Sequence, residues 1–315
     1  MLAYAIRRII ATIPVLFVVA VLIFLLLHLG PSDPAAVIAG DFADPAHIDR
    51  IREKLGLDRP LHVQFGVWLA DVLRGDLGTS IFNERPVAEL MLQRVEPTLA
   101  LTLSTITFAI MVGVPFGVIA AWQAGRLPDR LIMMLSVTGF SLPVFVLGYI
   151  LVYIFSIRLG VLPVQGYVSI NDGFVPFLRS IALPTLSLGL IYVALISRMT
   201  RASVIEVLSQ DYIRTARAKG LSTPPILLIH ALKNAAIPIV TTIGLGVALL
   251  ISGVVVTETV FALPGIGRLT VDAIIRKDYP VIQGVLLVFT VVYVLVNLLV
   301  DLSYSLFDPR IRYQD

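Results

Sequence analysis

The sequence contains no cysteine and few charged residues for a chain of 315 residues. The absence of cysteine excludes a disulfide framework and a thiolate metal site. Charged residues make up 14% of the chain, against roughly 25% in soluble globular proteins, and 57% of the residues are hydrophobic. This composition is not that of a chain folded mainly in water. The small net charge of +3 gives no reason to expect nucleic-acid binding.

Sequence motifs for catalysis and cofactor binding are also missing. No G-x-x-x-x-G-K-[ST] phosphate loop occurs, so the chain is not expected to hydrolyse ATP. Neither an H-E-x-x-H run nor a G-x-S-x-G nucleophile elbow is present. We therefore expect no metal site, no cofactor bound by this chain and no enzymatic activity of its own. The histidines are scattered at His28, His47, His62 and His230.

Six intervals of the chain contain no Asp, Glu, Lys or Arg. A bilayer core is crossed by roughly 20 apolar residues in a helix, and one central charge costs about 2.5–3.5 kcal/mol. Lipid offers no partner to a bare backbone, so each interval predicts a helix. The fold class expected is an all-α integral membrane protein with six transmembrane helices. The intervals are 9–32, 97–125, 131–157, 180–197, 234–257 and 279–300, with 24, 29, 27, 18, 24 and 22 residues.

The first interval is longer than the roughly 7–15 residues of a signal-peptide core, so we expect an uncleaved anchor. The distribution of Lys and Arg predicts the orientation. The predicted inside pieces, residues 1–8, 122–131, 198–234 and 302–315, carry 12 basic residues, whereas the two short outside loops, 158–180 and 258–280, carry 5. Both termini are therefore expected in the cytoplasm.

The six predicted helices divide the chain into four parts. Residues 1–29 would be the N-terminal tail and first helix, and 30–98 a small extracytoplasmic subdomain. Residues 99–301 would be a five-helix core with a cytoplasmic loop, 198–234, and 302–315 a C-terminal tail. In the subdomain, the pattern of Ile48 to Leu55 before Gly56 predicts one helix, and Val63 to Leu73 predicts another. The alternative is a flexible loop with frayed helices.

Glycine, proline and polar residues mark special positions within the predicted spans. Gly113 and Gly117 form a small-xxx-small pattern that lets helices approach closely. Pro143, Pro184 and Pro238 are expected to kink or end helices, or to mark a dipping segment. No intramembrane carboxylate of the kind used by ion-coupled carriers is expected. Ten polar residues are candidates to line a pore, or alternatively to bond backbone or a neighbouring helix: Thr102, Ser104, Thr105, Thr107, Ser141, Tyr192, Thr241, Thr242, Tyr293 and Asn297.

The basic stretch after the fourth span predicts two helices joined by a tight turn, which we call the elbow (residues 212–235). Tyr212 to Lys219 is expected to be helical and to end at Gly220. Ser222 is expected to cap a second helix, Ile226 to Ala235, with proline near its start. A rigid cytoplasmic projection of this kind suits docking into a cleft on a soluble partner.

The elbow resembles a known family. The stretch DYIRTARAKG…HALKNAAIP is similar to the conserved cytoplasmic loop of binding-protein-dependent ABC importer permeases, with Ala216, Gly220 and Leu232 at family positions. Arg214 and His230 depart from the general pattern but fit the dipeptide/oligopeptide (DppB/OppB-type) branch. The resemblance extends over the whole chain through YAIRRI, GPSDPA, KLGLDRPLHVQF, GDLGTS, ETVFALPGIGRL, KDYPVIQG and DPRIRY.

The resemblance implies a type I ABC importer permease in the bacterial inner membrane. Such a chain forms half of a pore for di- or oligopeptides, together with a second homologous permease subunit. Two cytoplasmic ABC ATPase subunits would bind ATP and Mg, and an extracytoplasmic substrate-binding protein would deliver the peptide. The lipid bilayer would surround the chain. Nickel complexes and glutathione are alternative substrates of the same machinery.

The resemblance also points to two groups of site residues. The elbow would couple ATPase closure to the pore through Tyr212, Arg214, Ala216, Gly220, His230 and Asn234. The alternative is that these residues only cap and pack two surface helices, with His230 in a packing or hydrogen-bonding role. At the outer face, a turn from Pro264 to Gly267 and a helix from Leu269 to Ile275 would lie beside the pore. The candidate outer gate is Glu258, Pro264, Gly265 and Gly267; alternatively, Glu258 is a headgroup-level carboxylate, solvated or paired with Arg268.

Two other classes of function compete with an importer subunit. A stand-alone secondary carrier or channel predicts buried charges and inverted repeats with broken helices. A membrane-embedded enzyme predicts several ionisable residues at one depth. Co-purification separates these classes, because an importer subunit brings ATPase subunits with it.

Overall fold

The computed structural model describes residues 2–29, 34–39, 44–54 and 56–307, which are mostly helical. Leu55 of the predicted subdomain helix, parts of the GPSDPA motif and the C-terminal tail from residue 308, including DPRIRY, lie outside the described residues. The helices are α1 (Leu2–Leu29), α2 (Pro34–Ala39), α3 (Pro45–Lys54), α4 (Leu61–Leu73), α5 (Val87–Leu92), α6 (Val95–Trp122), α7 (Leu127–Ser141), α8 (Val144–Leu151), α9 (Phe174–Leu208), α10 (Asp211–Ala218), α11 (Thr223–Pro225), α12 (Leu232–Asn234), α13 (Ala236–Val260), α14 (Ile266–Arg276) and α15 (Tyr279–Phe307).

Five helices are long and apolar enough to cross a bilayer, namely α1, α6, α9, α13 and α15. The sixth predicted span is a pair, α7 followed by α8 and its π-helical continuation Val152–Arg158, bent by 106°. The predicted all-α membrane fold is confirmed, but interval 131–157 is not one straight helix. Pro143 has no N–H and disfavours helical backbone at Leu142, which is extended at φ −87° and ψ 130°.

The other two prolines do not end their helices. Pro184 lies inside the continuous helix α9. Pro238 lies in the first turn of α13, where the missing N–H would have had no helical partner. Of the three prolines, only Pro143 therefore breaks a span.

The chain divides into two compact units. Among the described residues, one unit comprises those within 2–95 and 268–295, and the other comprises 96–267 and 296–307. In the first unit, α3 and α4 are the two helices predicted for the segment after the first span. Gly56, at φ +67°, ends α3 in a Schellman motif, in which the Leu57 N–H donates to the Arg52 carbonyl over 3.0 Å.

Two of the family-like motifs meet within the first unit. The Ser80 hydroxyl of GDLGTS donates to the buried Asp278 carboxylate of KDYPVIQG over 2.5 Å, and the Ile81 N–H donates to the same carboxylate over 3.2 Å. A Cβ at Gly284 would lie 2.7 Å from Val87. The two motifs therefore form one packed junction. This contact gives a structural reason for Ser80 and Asp278 that the sequence alone does not provide.

In the second unit, α9 is the central helix. It packs against α7, α8 and α13, and its buried residues form the core with Leu101, Leu250 and Phe261. Helix α6 approaches closely, as its glycines predict: a Cβ at Gly113 would lie 3.1 Å from the Ile196 side chain, and one at Gly117 would lie 2.7 Å from the Ser197 carbonyl. Larger residues at these two positions would push α6 away from α9.

Candidate coupling and gate sites

The turn of the elbow is a Schellman motif closed by Gly220. This glycine has φ +81°, its N–H donates to the Arg217 carbonyl over 2.9 Å, and the Leu221 N–H donates to the Ala216 carbonyl over 3.2 Å. Glycine adopts this left-handed backbone conformation without strain. The predicted helix end is confirmed, and Ala216 and Gly220 lie in the same turn.

Helix α10 is held by one buried side chain and is otherwise exposed. Ile213 is fully buried, whereas Tyr212 is 44% exposed. Arg214 and Asp211 form an ion pair of 3.2 Å, with side-chain exposures of 75% and 93%. A pair so open to solvent contributes little to stability. The polar surface of α10 is therefore available to a partner.

The second arm of the elbow differs from the prediction. Ser222 precedes α11, but its hydroxyl makes no capping hydrogen bond. The predicted regular helix over 226–235 is instead a π-helical segment, Ile226–Ala231, followed by the single turn of α12 and a break at Ala235. Pro225, directly before the π-helical segment, has no N–H to donate. Within that segment, the side chains of Leu227 and Ala231 pack in the core. π-Helical turns of this kind are frequent at functional sites.

The remaining two coupling candidates lie on this arm. The Asn234 side-chain amide donates to the His230 carbonyl over 2.6 Å. His230 is half-buried and Asn234 is exposed. The six candidates therefore form two local groups, one on α10 and its turn and one on the π-helical arm.

The candidate outer gate is built around Glu258, which is fully buried at the end of α13. The Thr98 hydroxyl, at the start of α6, donates to the Glu258 carboxylate over 2.6 Å and accepts the Ile266 N–H over 2.9 Å. Full burial argues against the solvated form of the alternative, in which Glu258 would be exposed to water. Thr98 was not predicted, because nothing in the sequence relates it to a residue 160 positions away.

The two gate glycines are explained by the same carboxylate. A Cβ built at Gly265 would collide with the Glu258 carboxyl group, and one at Gly267 would lie 2.7 Å from the Val255 Cα. The chain thus passes directly over Glu258 at two positions. Pro264 is exposed in the preceding turn, whereas Ile266 and Gly267 already belong to α14, so the predicted turn is two residues shorter than expected.

A second carboxylate near the start of α6 binds the loop before α9. The Glu96 side chain accepts hydrogen bonds from the Tyr167 hydroxyl over 2.9 Å and from the Ser169 hydroxyl over 2.7 Å. Burial, and then the bond to Glu96, raise the pKa of Tyr167 well above its ordinary value. The phenol therefore stays protonated and remains a donor.

An ion pair between a buried carboxylate and a partly exposed arginine, which the sequence did not predict, lies at the other end of the unit. Arg201 on α9 binds Asp129 through two bonds, from Nε over 2.5 Å and from Nη2 over 2.8 Å. The Gly125 N–H donates to the same carboxylate over 2.8 Å. In the sequence, Arg201 counted only as one of the basic residues that predict the orientation in the membrane. Its two parallel hydrogen bonds to Asp129 tie α9 to the turn between α6 and α7, and we call this pair the clamp.

Five of the ten polar residues predicted as pore-lining candidates bond to backbone carbonyls of their own helix. The hydroxyls of Thr102, Ser141, Thr241 and Thr242 each donate to a carbonyl four residues earlier. Ser104 additionally contacts the Thr185 hydroxyl over 2.7 Å. The backbone-bonding alternative therefore describes these hydroxyls, although such a bond does not remove a side chain from a pore wall.

Comparison with known proteins supports the resemblance over the full chain. Residues 113–313 match the family model described as "Binding-protein-dependent transport system inner membrane component", and residues 1–102 match the model for its N-terminal part. The probable peptide ABC transporter permease protein y4tP of Sinorhizobium fredii is 55% identical over 98% of this chain and 99% of its own length. The glutathione transport system permease protein GsiC is 47% identical in Salmonella typhimurium and 45% in Escherichia coli K12, over 100% of both chains.

Among solved structures, the inward-facing MetNI methionine ABC transporter matches 70% of this chain and 97% of its own chain, with a TM-score of 0.59 and 18% sequence identity. A likeness at this identity concerns the fold. Taken with the two family models, it shows that the chain belongs to the binding-protein-dependent inner-membrane permeases of ABC importers and has their type I fold.

Proposed function

We propose that this chain forms half of the transmembrane pore of an importer for short peptides. The observation that carries this proposal is the 55% identity to a probable peptide permease, which extends over 98% of the chain. Glutathione is the second candidate substrate, favoured by the end-to-end similarity to GsiC. Glutathione is itself a tripeptide, so both candidates present amide groups and terminal charges to the pore.

The energy for transport would come from partner subunits. Membership of a binding-protein-dependent ABC family implies ATPase and substrate-binding partners. We propose two cytoplasmic ATPase subunits that bind ATP and Mg, a second homologous permease and an extracytoplasmic binding protein. This chain would supply no catalytic group and hold no cofactor. Its termini would lie in the cytoplasm, as the basic residues predict.

The elbow would receive the movement of the ATPase subunits. The exposed side chains of α10, including Tyr212 and Arg214, suit contact with a soluble partner, and the Ile213 anchor ties that contact to the core. His230 and Asn234 lie on the π-helical arm, which joins α10 to the start of α13. A push on α10 would therefore reach the fifth span through this arm.

The outer gate would open and close at the other end of α13. Glu258, Gly265 and Gly267 hold the start of α14 against α13, and Pro264 stiffens the turn between them. Because α13 connects the elbow to this gate, one rigid helix would transmit movement from the ATPase side to the outer face.

Substitutions at Gly220 test the coupling role. No atom lies within 4 Å of a Cβ built at this residue, so only its left-handed backbone restricts the side chain. Valine is strained at φ +81°, whereas asparagine tolerates it. In the reconstituted importer, we expect Gly220→Val to reduce peptide uptake per ATP hydrolysed by about tenfold while Gly220→Asn stays close to the parent, since the strain costs roughly 1–2 kcal/mol. Equal uptake by both variants would contradict the coupling role.

The substrate is tested with the complete importer and its own binding protein. Labelled trialanine and labelled S-methylglutathione should each be taken up and should compete with one another. A binding protein that takes a nickel complex and neither peptide would overturn the proposed substrate class. It would leave the permease fold and the partner subunits untouched.

A further inference from the structure

The first unit contains a half-enclosed cavity of about 400 Å³. Helix α1 contributes Phe24 to its wall, α4 contributes one face, and α15 contributes its first turn. The junction of Ser80 with Asp278 holds another side, because Thr79 and Tyr279 adjoin these two residues and both line the cavity. Cavities of this size, mostly apolar with a few polar groups, are typical of small-molecule sites.

One face of α4 supplies an aromatic wall and a negative charge. Gln64, Trp68 and Asp71 line the cavity and are spaced by four and three residues, as on one side of a helix. The Trp68 ring packs against Phe24, with the ring centroids 5.6 Å apart. Asp71 pairs with Arg74 at 3.5 Å, but side-chain exposures of 46% and 77% make this ion pair weak. The Asp71 carboxylate is therefore available to a ligand.

A positive charge lies near the start of α4. The Gln64 side-chain amide donates to the carbonyls of Leu57 over 3.1 Å and Arg59 over 2.7 Å, which fixes the turn before the helix. The Arg59 guanidinium packs over Gly56, with its Cζ 3.6 Å from the position of a Cβ, and both residues line the cavity. Arg59 forms no ion pair with a residue that the structure describes. The cavity wall therefore carries a cation without a counter-charge at this end.

Two buried polar side chains of α15 also line the cavity. Tyr279 and Gln283 are each 7% exposed and lie one helical turn apart. The Gln283 amide nitrogen donates to the Ile23 carbonyl over 3.2 Å, which leaves its side-chain oxygen as a free acceptor. The Tyr279 hydroxyl forms no hydrogen bond within the part of the chain that the structure describes. Buried polar groups ordinarily have partners, so a ligand in the cavity would supply them.

The spacing of the two charges favours a short peptide as the ligand. Gln64, which holds the turn of Arg59, precedes Asp71 by seven residues, or about 10 Å along α4. Three extended peptide residues span about 10 Å, with an ammonium at one end and a carboxylate at the other. In a zwitterionic lipid, by contrast, the ammonium and the phosphate are neighbours in one headgroup. A cation and an anion at opposite ends of an aromatic wall therefore match a peptide better than a lipid.

We propose that this cavity is a receiving subsite for short peptides, which binds the peptide carboxylate at Arg59 and the peptide ammonium at Asp71. The proposal rests on the proposed function as a peptide importer. Trp68 contacts an apolar side chain of the peptide. The Tyr279 hydroxyl donates to a peptide carbonyl, and the Gln283 oxygen accepts a peptide N–H. In the predicted orientation α4 lies on the outer side of the membrane, so the subsite holds the peptide before it enters the pore.

Peptides with one end blocked test the two charges separately. The complex of permease and ATPase subunits, without the binding protein, is dialysed against labelled peptide at low ionic strength, where exposed charges are screened least. We expect Arg59→Gln to weaken trialanine binding about fivefold and to leave the binding of trialanine amide unchanged. Asp71→Asn should weaken trialanine binding to the same extent and leave that of N-acetyltrialanine unchanged. Equal trialanine binding by the parent and both variants, or equal weakening of all three peptides, would refute the subsite.

Matched controls and two further measurements separate the remaining explanations. Arg50→Gln and Asp58→Asn remove the same charges from exposed side chains that do not line the cavity, and both should bind trialanine like the parent. Trialanine binding in detergent that disappears in nanodiscs of phosphatidylethanolamine would assign the cavity to lipid and refute the subsite. Uptake with the binding protein present is measured separately. A parent importer that moves no peptide refutes the proposed function, whereas normal uptake with unaltered peptide binding by Arg59→Gln and Asp71→Asn refutes the subsite alone.

Discussion

At the residue scale, the candidate outer gate contains one hydroxyl that links the start of α6 to the end of α13 and the start of α14. Thr98 donates to Glu258 at the end of α13 and accepts the Ile266 N–H at the start of α14. Both partners are buried. Removing a partner from a buried polar group costs more than a hydrogen bond contributes on average, because the group is not rehydrated.

Thr98→Val keeps the shape of the side chain and removes both of these bonds. We expect it to lower the stability of the permease by about 1–3 kcal/mol, whereas Thr98→Ser should lose little stability because its hydroxyl can occupy the same place. The measurement is the midpoint of thermal unfolding in detergent. A valine variant as stable as the parent would show that the hydroxyl does not hold the gate.

Local sequence predicted part of this gate and missed the rest for a definable reason. Glu258, Gly265 and Gly267 lie within ten residues, so a short motif was enough to suggest that they meet. Thr98 belongs to a different helix, and threonine within a span more often bonds its own backbone, as Thr102 does. Nothing in composition or spacing separates these two threonines; only the contact of Thr98 with Glu258 in the folded chain does.

At the element scale, a proline within a span either interrupts the helix or is accommodated in it, and the sequence does not distinguish these two cases. Pro143 breaks the α7–α8 pair, but Pro184 lies within the unbroken helix α9. Helix α9 has the largest buried share of the spans, so neighbours on several sides support it as one continuous helix. The residues around Pro143 are largely exposed and lack that support. The five unbroken spans and the glycine turn of the elbow were predictable because each is specified by local sequence.

The Asp129–Arg201 clamp has consequences at the same scale, because it ties α9 to the turn between α6 and α7. Asp129 has a side-chain exposure of 5% and Arg201 of 30%. Asp129→Asn would leave the guanidinium without its counter-charge, and we expect a loss of up to about 3 kcal/mol, below the range for a fully buried pair because Arg201 reaches solvent. Arg201→Lys keeps the charge but loses the forked contact, so its loss should be smaller.

Thermal unfolding of the two variants beside the parent measures this difference. The order parent, Arg201→Lys, Asp129→Asn in decreasing stability supports a structural clamp. Equal stability of parent and Asp129→Asn would mean that the pair forms without holding the two elements together.

At the scale of the whole molecule, the orientation in the membrane follows from charge and not from packing. The interior of the fold is compatible with either orientation, since the bilayer is apolar on both sides of its centre. Basic residues outside the spans break this symmetry, with 12 in the predicted inside pieces and 5 in the short outside loops. The coupling role proposed for the elbow requires this orientation, because the proposed ATPase subunits would act from the cytoplasm.

Single cysteines in the cysteine-free chain test the orientation directly. Ser222 in the elbow and Asp172 before α9 are both exposed and lie outside the spans at opposite ends of α9. In intact spheroplasts, a membrane-impermeant thiol reagent should label Asp172→Cys, whereas Ser222→Cys should react only after the membrane is opened. Both thiols are accessible to water, so a difference in labelling reports the side of the membrane and not burial. Labelling of Ser222→Cys in intact spheroplasts would place the elbow outside, where no ATPase could act on it.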